Sequence, residues 1–362
     1  MDGEIHDPVG ADRRLNLVFI GRSISDAWSD DAATLRSLLH GLAGLGHDVL
    51  FLERTDAIFS LDNPVRTARY TSLEDLKRYF SDVVANADAV ILSSRVADGV
   101  RIGEWVLGVA GGVAAFYDLD APRTLAQLGD RGAMPGGRDD EYITPALLAR
   151  FPLCLSTAGA SVLERLTLHG AQDVLTLLPA VTMAASVPTE GEWRWDLGLS
   201  GAFEPALMPA LETLLFNTAR HWGGGRFAVS GRGYPAQLQW PANVERLDRP
   251  PGDFSQRRRF ALCLRDGAIA PDQCLLEAAA CGVPVITNSR AGLDPFFRAG
   301  SDVLVARSWR DVIEWLVDMP ERDRLTIGRR ARSRVLRSHT AARRAAELAG
   351  HVAQRLRMEP AA

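Results

Sequence analysis

One segment of the chain combines a helix start, a carboxylate and a tightly packed helix in a way that suits nucleotide binding. A loop leads into a predicted helix that begins near Pro271, and Glu277 lies about two turns further on. The positive end of a helix dipole can receive a phosphate group. A glutamate two turns into the helix can reach the two hydroxyls of a ribose. The alternative is a surface glutamate on an otherwise buried helix, and the residues alone leave both interpretations open.

Basic and glycine residues that follow predicted strands of the second half could hold a diphosphate, which needs cations or several backbone amides. Arg265 comes directly after one apolar run, and Arg232 lies between two glycines after another. Gly201 and Gly231 lie at strand ends of the same half, where glycine lets the backbone approach a ligand closely. Arg265 is the stronger cationic candidate because it ends a strand, with a solvated surface arginine as the alternative.

The first half offers two carboxylates and one glycine at strand ends. Asp118 and Asp120 follow an apolar run, and either could orient an acceptor hydroxyl or act as a general base. The competing interpretation is structural, with Asp118 as a cap of the next segment and Asp120 in a turn before Pro122. Gly21 ends the first strand, where the backbone must come close to a ligand or to a helix.

Short apolar runs alternate with segments of helical periodicity along nearly the whole chain. In the first half, strands are predicted at 15–20, 48–52, 89–92, 112–117, 153–156 and 174–178, with helices at 32–45, 73–84, 103–109 and 160–169. In the second half, strands are predicted at 196–201, 226–230, 243–247, 261–264, 283–287 and 303–306, with helices at 207–219, 254–258, 271–281, 309–319, 321–336 and 340–356. This order predicts an α/β fold with two doubly wound parallel sheets.

A stretch without clear periodicity at 182–195 predicts where the two sheets divide. We expect a disordered N-terminus over 1–14, Rossmann-like domains over 15–180 and 181–338, and a last helical segment over 339–362 that packs on the first domain. This architecture is typical of the GT-B glycosyltransferase fold, of related sugar epimerases and of periplasmic binding proteins. Ligands of open parallel sheets lie beyond the carboxyl ends of the strands, so we expect the site in the cleft between the domains.

Composition excludes several classes of protein. The net charge of -4 shows no basic surplus, which argues against a nucleic-acid partner. The single lysine, Lys77, is not part of a Gly-Lys-Ser/Thr phosphate loop. Four cysteines without a Cys-x-x-Cys pair predict buried thiols in a reducing cytoplasm. The start of the chain is unlike a signal peptide, no apolar run is long enough to span a membrane, and no cluster of metal ligands is apparent. Peripheral membrane association and the oligomeric state stay open.

The segment Leu-Glu-Ala-Ala-Ala-Cys-Gly-Val-Pro-Val-Ile around Glu277 resembles the donor-site segment of GT-B glycosyltransferases related to family 4, also called group 1. Five further segments are similar to the CgeB-type, spore-maturation-like branch of these proteins, and with them the resemblance runs from about residue 15 to the final helix. They lie at 115–125, 195–203, 240–246, 292–297 and 303–308.

The resemblance implies an enzyme that moves a sugar from a nucleoside diphosphate sugar to an acceptor hydroxyl on a glycan, a protein or a surface polysaccharide. It assigns the acceptor to the first domain and the donor to the second, with Glu277 on the ribose of the nucleotide. It also implies retention of anomeric configuration, no tightly bound cofactor and no metal, because the helix dipole and arginines replace the metal.

The chain departs from the family pattern at two positions of the donor segment. Enzymes of family 4 often carry a second glutamate eight residues before the ribose-binding one, where this chain has Ile269, and CgeB-type chains carry an arginine where this chain has Cys274. Two alternatives therefore remain: a catalytically degenerate protein that binds a nucleotide or glycan or acts as a scaffold, and a sugar-nucleotide epimerase. A dehydrogenase is disfavoured because the loop after Gly21 lacks the further glycines of a dinucleotide-binding motif.

Overall fold

The computed structural model of the protein describes residues 13–22, 24, 29–54, 65–129, 141–182, 193–248, 254–265, 273–289, 293 and 296–358. The chain divides into two compact units. The first unit comprises Met1–Ala27, Leu35–Leu178 and Ala341–Ala362, and the second unit comprises Trp28–Thr34 and Pro179–Thr340. Of the stretch 1–14, for which we predict disorder, only residues 13 and 14 are described.

The first unit is built on a seven-stranded sheet of parallel strands in the order β3-β2-β1-β4-β5-β6-β7. Parallel neighbours need crossover connections, and in the described residues a helix lies between every two successive strands of this sheet except β2 and β3. The strands are β1 (Asn16–Gly21), β2 (Asp48–Arg54), β3 (Arg66–Tyr70), β4 (Ala89–Ser93), β5 (Val113–Asp118), β6 (Leu153–Ser156) and β7 (Val174–Thr176). The helices are α1 (Asp30–Gly44), α2 (Leu73–Ala85), α3 (Gly99–Val109), α4 (Ala121–Gln127), α5 (Pro145–Leu148) and α6 (Ala160–Leu168). The first residues of α1, up to Thr34, group with the second unit.

The second unit is built on a six-stranded parallel sheet in the order β10-β9-β8-β11-β12-β13. Its strands are β8 (Trp195–Ser200), β9 (Phe227–Ser230), β10 (Val244–Leu247), β11 (Arg258–Cys263), β12 (Val285–Asn288) and β13 (Leu304–Ala306). Its helices are α7 (Met208–Leu211), a π-helical turn at Glu212–Phe216 that continues into α8 (Asn217–His221), α9 (Gln273–Ala280), α10 (Trp309–Val317) and α11 (Glu321–Ser338). The last helix of the chain, α12 (Ala341–Met358), belongs to the first unit.

Apolar side chains from the strands and from two helices form one core in the first unit. β1 and β4 are almost entirely buried, which is expected of central parallel strands that are covered on both faces. Leu38 and Leu42 of α1 pack in this core together with Leu348 and Val352 of α12. The final helix therefore contributes directly to the core of the first unit.

The structure confirms the predicted fold class of two parallel sheets with alternating helices. It also contains strand β3 and the short helices α4 and α5, which were not predicted, and it contradicts one predicted helix. Strand β3 was not predicted because its sequence, Arg-Thr-Ala-Arg-Tyr, has a single buried residue, Tyr70, and lies at the edge of the sheet. The helix predicted at 254–258 is wrong, since Phe254 lies in a turn and Arg258 already begins β11. The Phe254 ring instead packs 5.0 Å from that of Trp195. Among the described residues, no helix has the length and apolar character needed to cross a membrane.

We expect Leu348→Ala to destabilise the first unit, because Leu348 is fully buried in a core that α12 shares with the sheet. Large-to-small substitutions of this kind cost about 2–5 kcal/mol. Urea unfolding followed by circular dichroism measures the loss. Leu168→Ala is the matched control, because Leu168 is 86% exposed on α6. Equal unfolding free energies for the two variants would contradict the packing of α12 in this core.

Candidate functional site

Four neighbouring strands of the second sheet end at one edge and bring most of the predicted donor-site residues together. Because the strands are parallel, their carboxyl ends lie on the same side of the unit, where ligands of such sheets bind. We call this side the second carboxyl edge. The strands β9, β8, β11 and β12 end there at Ser230, Ser200, Cys263 and Asn288, and the loops after them carry Gly201, Gly231, Arg232 and Arg265.

Gly201 and Gly231 allow two loops of this edge to pack backbone against backbone. A Cβ atom on Gly231 would lie 1.8 Å from the carbonyl oxygen of Gly201, and Gly201 itself has a φ of +150°. The Tyr234 hydroxyl donates a hydrogen bond to the same carbonyl at 3.4 Å. The Arg232 side chain is exposed in this loop. The need for glycine at both positions is therefore explained by loop packing, and their predicted role in ligand binding stays a prediction.

The backbone of Arg265 is fixed by the side-chain amide of Asn288. The Nδ2 atom of Asn288 donates to the Arg265 carbonyl at 2.8 Å, and its Oδ1 atom accepts from the Arg265 amide at 3.1 Å. The Arg265 guanidinium forms an ion pair with the carboxylate of Asp30, and both residues belong to the second unit. The Arg265 side chain is still 38% exposed. A phosphate that binds Arg265 would compete with Asp30 for its positive charge.

Helix α9 presents Glu277 to solvent from an otherwise buried surface. All its residues are buried except Glu277, which is exposed, and Cys274, which is half-buried. The Nε2 atom of Gln273 donates to Glu277 Oε1 at 3.1 Å and to the Ala180 carbonyl at 3.2 Å, which holds the carboxylate in place. Pro271, the predicted helix start, lies outside the described residues, so the phosphate site there stays a prediction.

A buried guanidinium near this edge was missed by the sequence analysis. Arg258 is 1% exposed, and its Nη1 atom donates to the Gly198 carbonyl at 3.2 Å and to Ser200 Oγ at 3.4 Å. A Cβ atom on Gly198 would lie 2.9 Å from the Arg258 Cδ atom, so the glycine makes room for this side chain. Burial raises the pKa of the Cys281 thiol. The positive charge of Arg258 lowers this pKa, and the negative charge of Glu277 raises it further. Arg258 thus places a buried positive charge beside Ser200, at the end of β8.

In the first unit, the carboxylate of Asp118 is fully buried and accepts three hydrogen bonds. They come from Thr124 Oγ1 at 2.6 Å, Ser156 Oγ at 2.8 Å and the Asp120 amide at 3.2 Å. The Tyr142 hydroxyl lies 2.9 Å from Thr124 Oγ1 and extends this chain of hydroxyls. Burial raises the pKa of Asp118 to about 6, against the effect of the hydrogen bonds. This geometry suits a carboxylate that joins the ends of β5 and β6 better than a base that contacts a substrate.

Asp120 is the more accessible of the two predicted carboxylates, with 21% of its side chain exposed. It caps α4 through the Arg123 amide, a role that the sequence analysis gave to Asp118 as the structural alternative. Its Oδ2 atom lies 3.4 Å from Arg95 Nη1 and 3.5 Å from Arg123 Nε. Arg95 has a φ of +66°, and such backbone strain in a non-glycine residue concentrates at functional sites. Arg95 was not predicted from the sequence as a site residue.

The third predicted residue of the first unit, Gly21, is enclosed by side chains of the neighbouring strands. A Cβ atom there would lie 2.8 Å from the ring of Phe51 and 3.0 Å from Ser93 Oγ. Glycine is therefore required at position 21 by side chains of neighbouring strands in the same sheet. Over the residues that the structure describes, no group of three or more His, Cys, Asp or Glu side chains is placed to hold a metal ion.

A comparison with protein families matches part of this chain. Residues 212–350 match the family model described as glycosyl transferase-like. The matched region includes Arg232, Arg265 and Glu277. No protein of curated function matches the sequence. Most of the second carboxyl edge, apart from the end of β8 and Gly201, therefore lies in a region that is similar to glycosyltransferases.

Several solved structures are similar to the chain over almost its whole length. A sucrose-phosphate synthase from Thermosynechococcus elongatus has 14% sequence identity and a TM-score of 0.70, with 96% of this chain and 100% of that chain covered. Anabaena HepE in complex with UDP-glucose has 11% identity and a TM-score of 0.69, with 96% and 100% covered. An α-glucosyltransferase in complex with UDP and DNA has 12% identity and a TM-score of 0.69, with 94% and 100% covered. At these identities the likeness establishes the fold, which is GT-B with two Rossmann-like sheets.

The raised pKa of Asp118 predicts how stability depends on pH. Because the folded pKa of about 6 lies above the unfolded value of 3.8, the folded state binds the proton more tightly. The stability that Asp118 contributes is therefore fully present below pH 3.8 and is lost as the pH rises through about 6. We expect the unfolding free energy of the wild type to fall over this range relative to that of Asp118→Asn. Urea titrations at a series of pH values measure it, and parallel curves for the two proteins would contradict the raised pKa.

Proposed function

We propose that the protein is a CgeB-type glycosyltransferase that moves a sugar from a nucleoside diphosphate sugar to an acceptor hydroxyl. The donor binds at the second carboxyl edge, and the acceptor binds at the strand ends of the first unit. Structures of similar fold contain UDP or UDP-glucose, which makes uridine the first nucleotide to test. The glycosyl transferase-like match over residues 212–350 supports the same function.

The observation that carries this proposal is the exposed carboxylate of Glu277 on a helix whose other residues are largely buried. Burying a glutamate carboxylate on a helix face costs free energy unless the carboxylate has a hydrogen-bond partner or reaches solvent. Gln273 donates to Oε1 of this carboxylate, and the lone pairs of a carboxylate can accept several further hydrogen bonds, including those of a ribose. In the proposed complex Glu277 accepts from both ribose hydroxyls and so fixes the nucleotide on α9.

The leaving diphosphate gains negative charge as the glycosidic bond breaks, and cations placed beforehand stabilise that charge. In our proposal Arg265 exchanges its ion pair with Asp30 for one with the diphosphate, and the exposed Arg232 binds the opposite side. The Gly201 amide already donates to the Ser230 carbonyl at 3.0 Å, so the neutral donors are the backbone amides at Gly231 and at the start of α9. These groups take the place of a bound metal, and no cofactor is held tightly.

The acceptor hydroxyl is oriented by Asp120, whose carboxylate faces solvent beside Arg95 and Arg123. Asp118 and Gly21 shape the strand ends behind it. We propose that the acceptor is a glycan, a protein or a surface polysaccharide, and that the reaction occurs in the cytoplasm with retention of anomeric configuration. The net charge of -4 disfavours a nucleic-acid acceptor.

We expect Glu277→Ala to weaken UDP binding about tenfold or more, because it removes the acceptor for the ribose hydroxyls and hydrogen bonds to charged groups are worth about 1.5–3 kcal/mol. Isothermal titration calorimetry with UDP measures the dissociation constant. A thermal-shift panel of nucleotides and sugar nucleotides first identifies the base, since a ligand of the folded state raises the melting temperature.

Glu314→Ala is the matched control for this experiment, because Glu314 is also an exposed glutamate on a helix of the second unit, α10. Its UDP affinity should equal that of the wild type. Equal affinities for Glu277→Ala and the wild type would remove Glu277 from the nucleotide site. No response to any nucleotide in the thermal-shift panel would overturn the proposed function itself.

We expect Arg265→Ala to weaken binding of UDP but to leave the weak binding of uridine unchanged, because Arg265 contacts the diphosphate and not the nucleoside. Loss of one group that stabilises transition-state charge lowers turnover by about 100-fold or more. Arg226→Ala is the control, because Arg226 also pairs with an aspartate, Asp196, but lies at the amino end of β9. A parallel loss of UDP and uridine affinity would contradict the role given to Arg265.

A further inference from the structure

We propose that Cys263 and Cys274 form an oxidation site, in which a reversible disulfide at the second carboxyl edge lowers the affinity of the protein for nucleotide. The formation of this bond is independent of the proposed function, whereas its effect on nucleotide affinity rests on that function. The two cysteines lie on different elements, at the last residue of β11 and at the second residue of α9.

The two sulfur atoms lie close enough for a bond to form after a small movement. Their Sγ atoms are 3.0 Å apart, and a disulfide needs about 2.05 Å, so the two elements need to approach by about 1 Å. Cys263 is 1% exposed, and Cys274 is half-buried. A dissolved oxidant therefore meets Cys274 first, and Cys263 is in position to complete the bond.

The surroundings of this pair belong to the proposed donor site. Cys263 is followed two residues later by Arg265, and Cys274 lies one helical turn before Glu277. The side chain of Tyr234, which bonds to the Gly201 carbonyl, is near enough to Cys274 for a thiolate charge there to raise the pKa of the tyrosine, after burial as the larger cause. A bond between the two cysteines thus acts at the centre of this edge.

The reaction is a thiol–disulfide exchange with a small disulfide such as oxidised glutathione. The Cys274 thiolate attacks one sulfur of that molecule, breaks its S–S bond and releases one glutathione thiolate. Cys263 then loses its proton and attacks Cys274 Sγ in the mixed disulfide, which releases the second glutathione. Two protein thiols are oxidised to one disulfide, and one small disulfide is reduced to two thiols. Excess glutathione reverses both steps.

The bond is expected to displace the carboxylate of Glu277. Drawing the first turn of α9 about 1 Å towards the end of β11 changes the geometry of Gln273, whose Nε2 atom now bridges Glu277 and the Ala180 carbonyl. Loss of one hydrogen bond to a charged group lowers affinity about tenfold. We expect the oxidised protein to bind UDP about tenfold more weakly than the reduced protein.

The test uses the full-length protein, reduced or treated with oxidised glutathione. The mass of the oxidised protein should fall by two hydrogen atoms. Trypsin releases Cys263 within residues 260–265, but Cys274 and Cys281 together within residues 266–290. The peptide map is therefore made on Cys281→Ser, in which a cross-link between these peptides joins Cys263 to Cys274. The bond closes a loop in the unfolded chain, so it should also raise the melting temperature by several degrees.

Calorimetry with UDP then compares the reduced and oxidised forms of three proteins. The wild type and Cys154→Ser should show the tenfold loss on oxidation, because Cys154 lies in the first unit. Cys274→Ser should bind UDP as the reduced wild type does and should not respond to oxidation. Absence of the cross-link, or a cross-link without loss of UDP affinity, would overturn the proposal. If the cross-link forms on oxidation but the reduced protein binds no nucleotide, the result overturns the proposed function instead.

Discussion

Two hydrogen bonds between the side chain of Asn288 and the backbone of Arg265 tie the ends of β12 and β11 together, and the candidate donor site depends on them. They set the direction in which the chain leaves β11 before it returns as α9. The position of Glu277 on that helix is set in turn by Gln273, which also bonds to the Ala180 carbonyl. A backbone fixed at the strand end and a carboxylate fixed on the next helix give a ligand two rigid contacts. Rigid placement of this kind is what specific binding of a nucleotide needs.

In each unit, charged side chains at the carboxyl ends of the strands have ion-pair or hydrogen-bond partners. In the first unit Asp120 pairs with arginines while Asp118 is enclosed by hydroxyls, and in the second unit Arg265 pairs with Asp30. A partly exposed ion pair is worth little in water, so a ligand can exchange it for a new contact at small cost. Asp118, by contrast, accepts hydrogen bonds from three buried or backbone groups, and its removal would disturb the sheet.

The fold could be predicted from the sequence because most strands are buried on both faces and therefore read as short apolar runs. Strand β3 could not, since an edge strand with one buried residue has no apolar pattern. Glu277 was found because its helix is otherwise apolar. Arg258 was missed because it is the middle residue of three successive arginines, which suggest a solvated surface. In the structure β11 begins at Arg258, and the alternation of side chains along the strand points this arginine inward. The strained backbone of Arg95 leaves no signal in the sequence.

Hydrogen–deuterium exchange with and without UDP can show whether a nucleotide binds where the strands of the second sheet end. We predict slower exchange on binding in residues 230–234 and 273–280, which contain Arg232 and Glu277. The opposite end of the same sheet offers a natural comparison, a cavity of about 320 Å³ lined by residues such as Arg194, Arg226 and Glu245. Slower exchange confined to residues 225–227 and 242–245 around that cavity would contradict nucleotide binding at the second carboxyl edge.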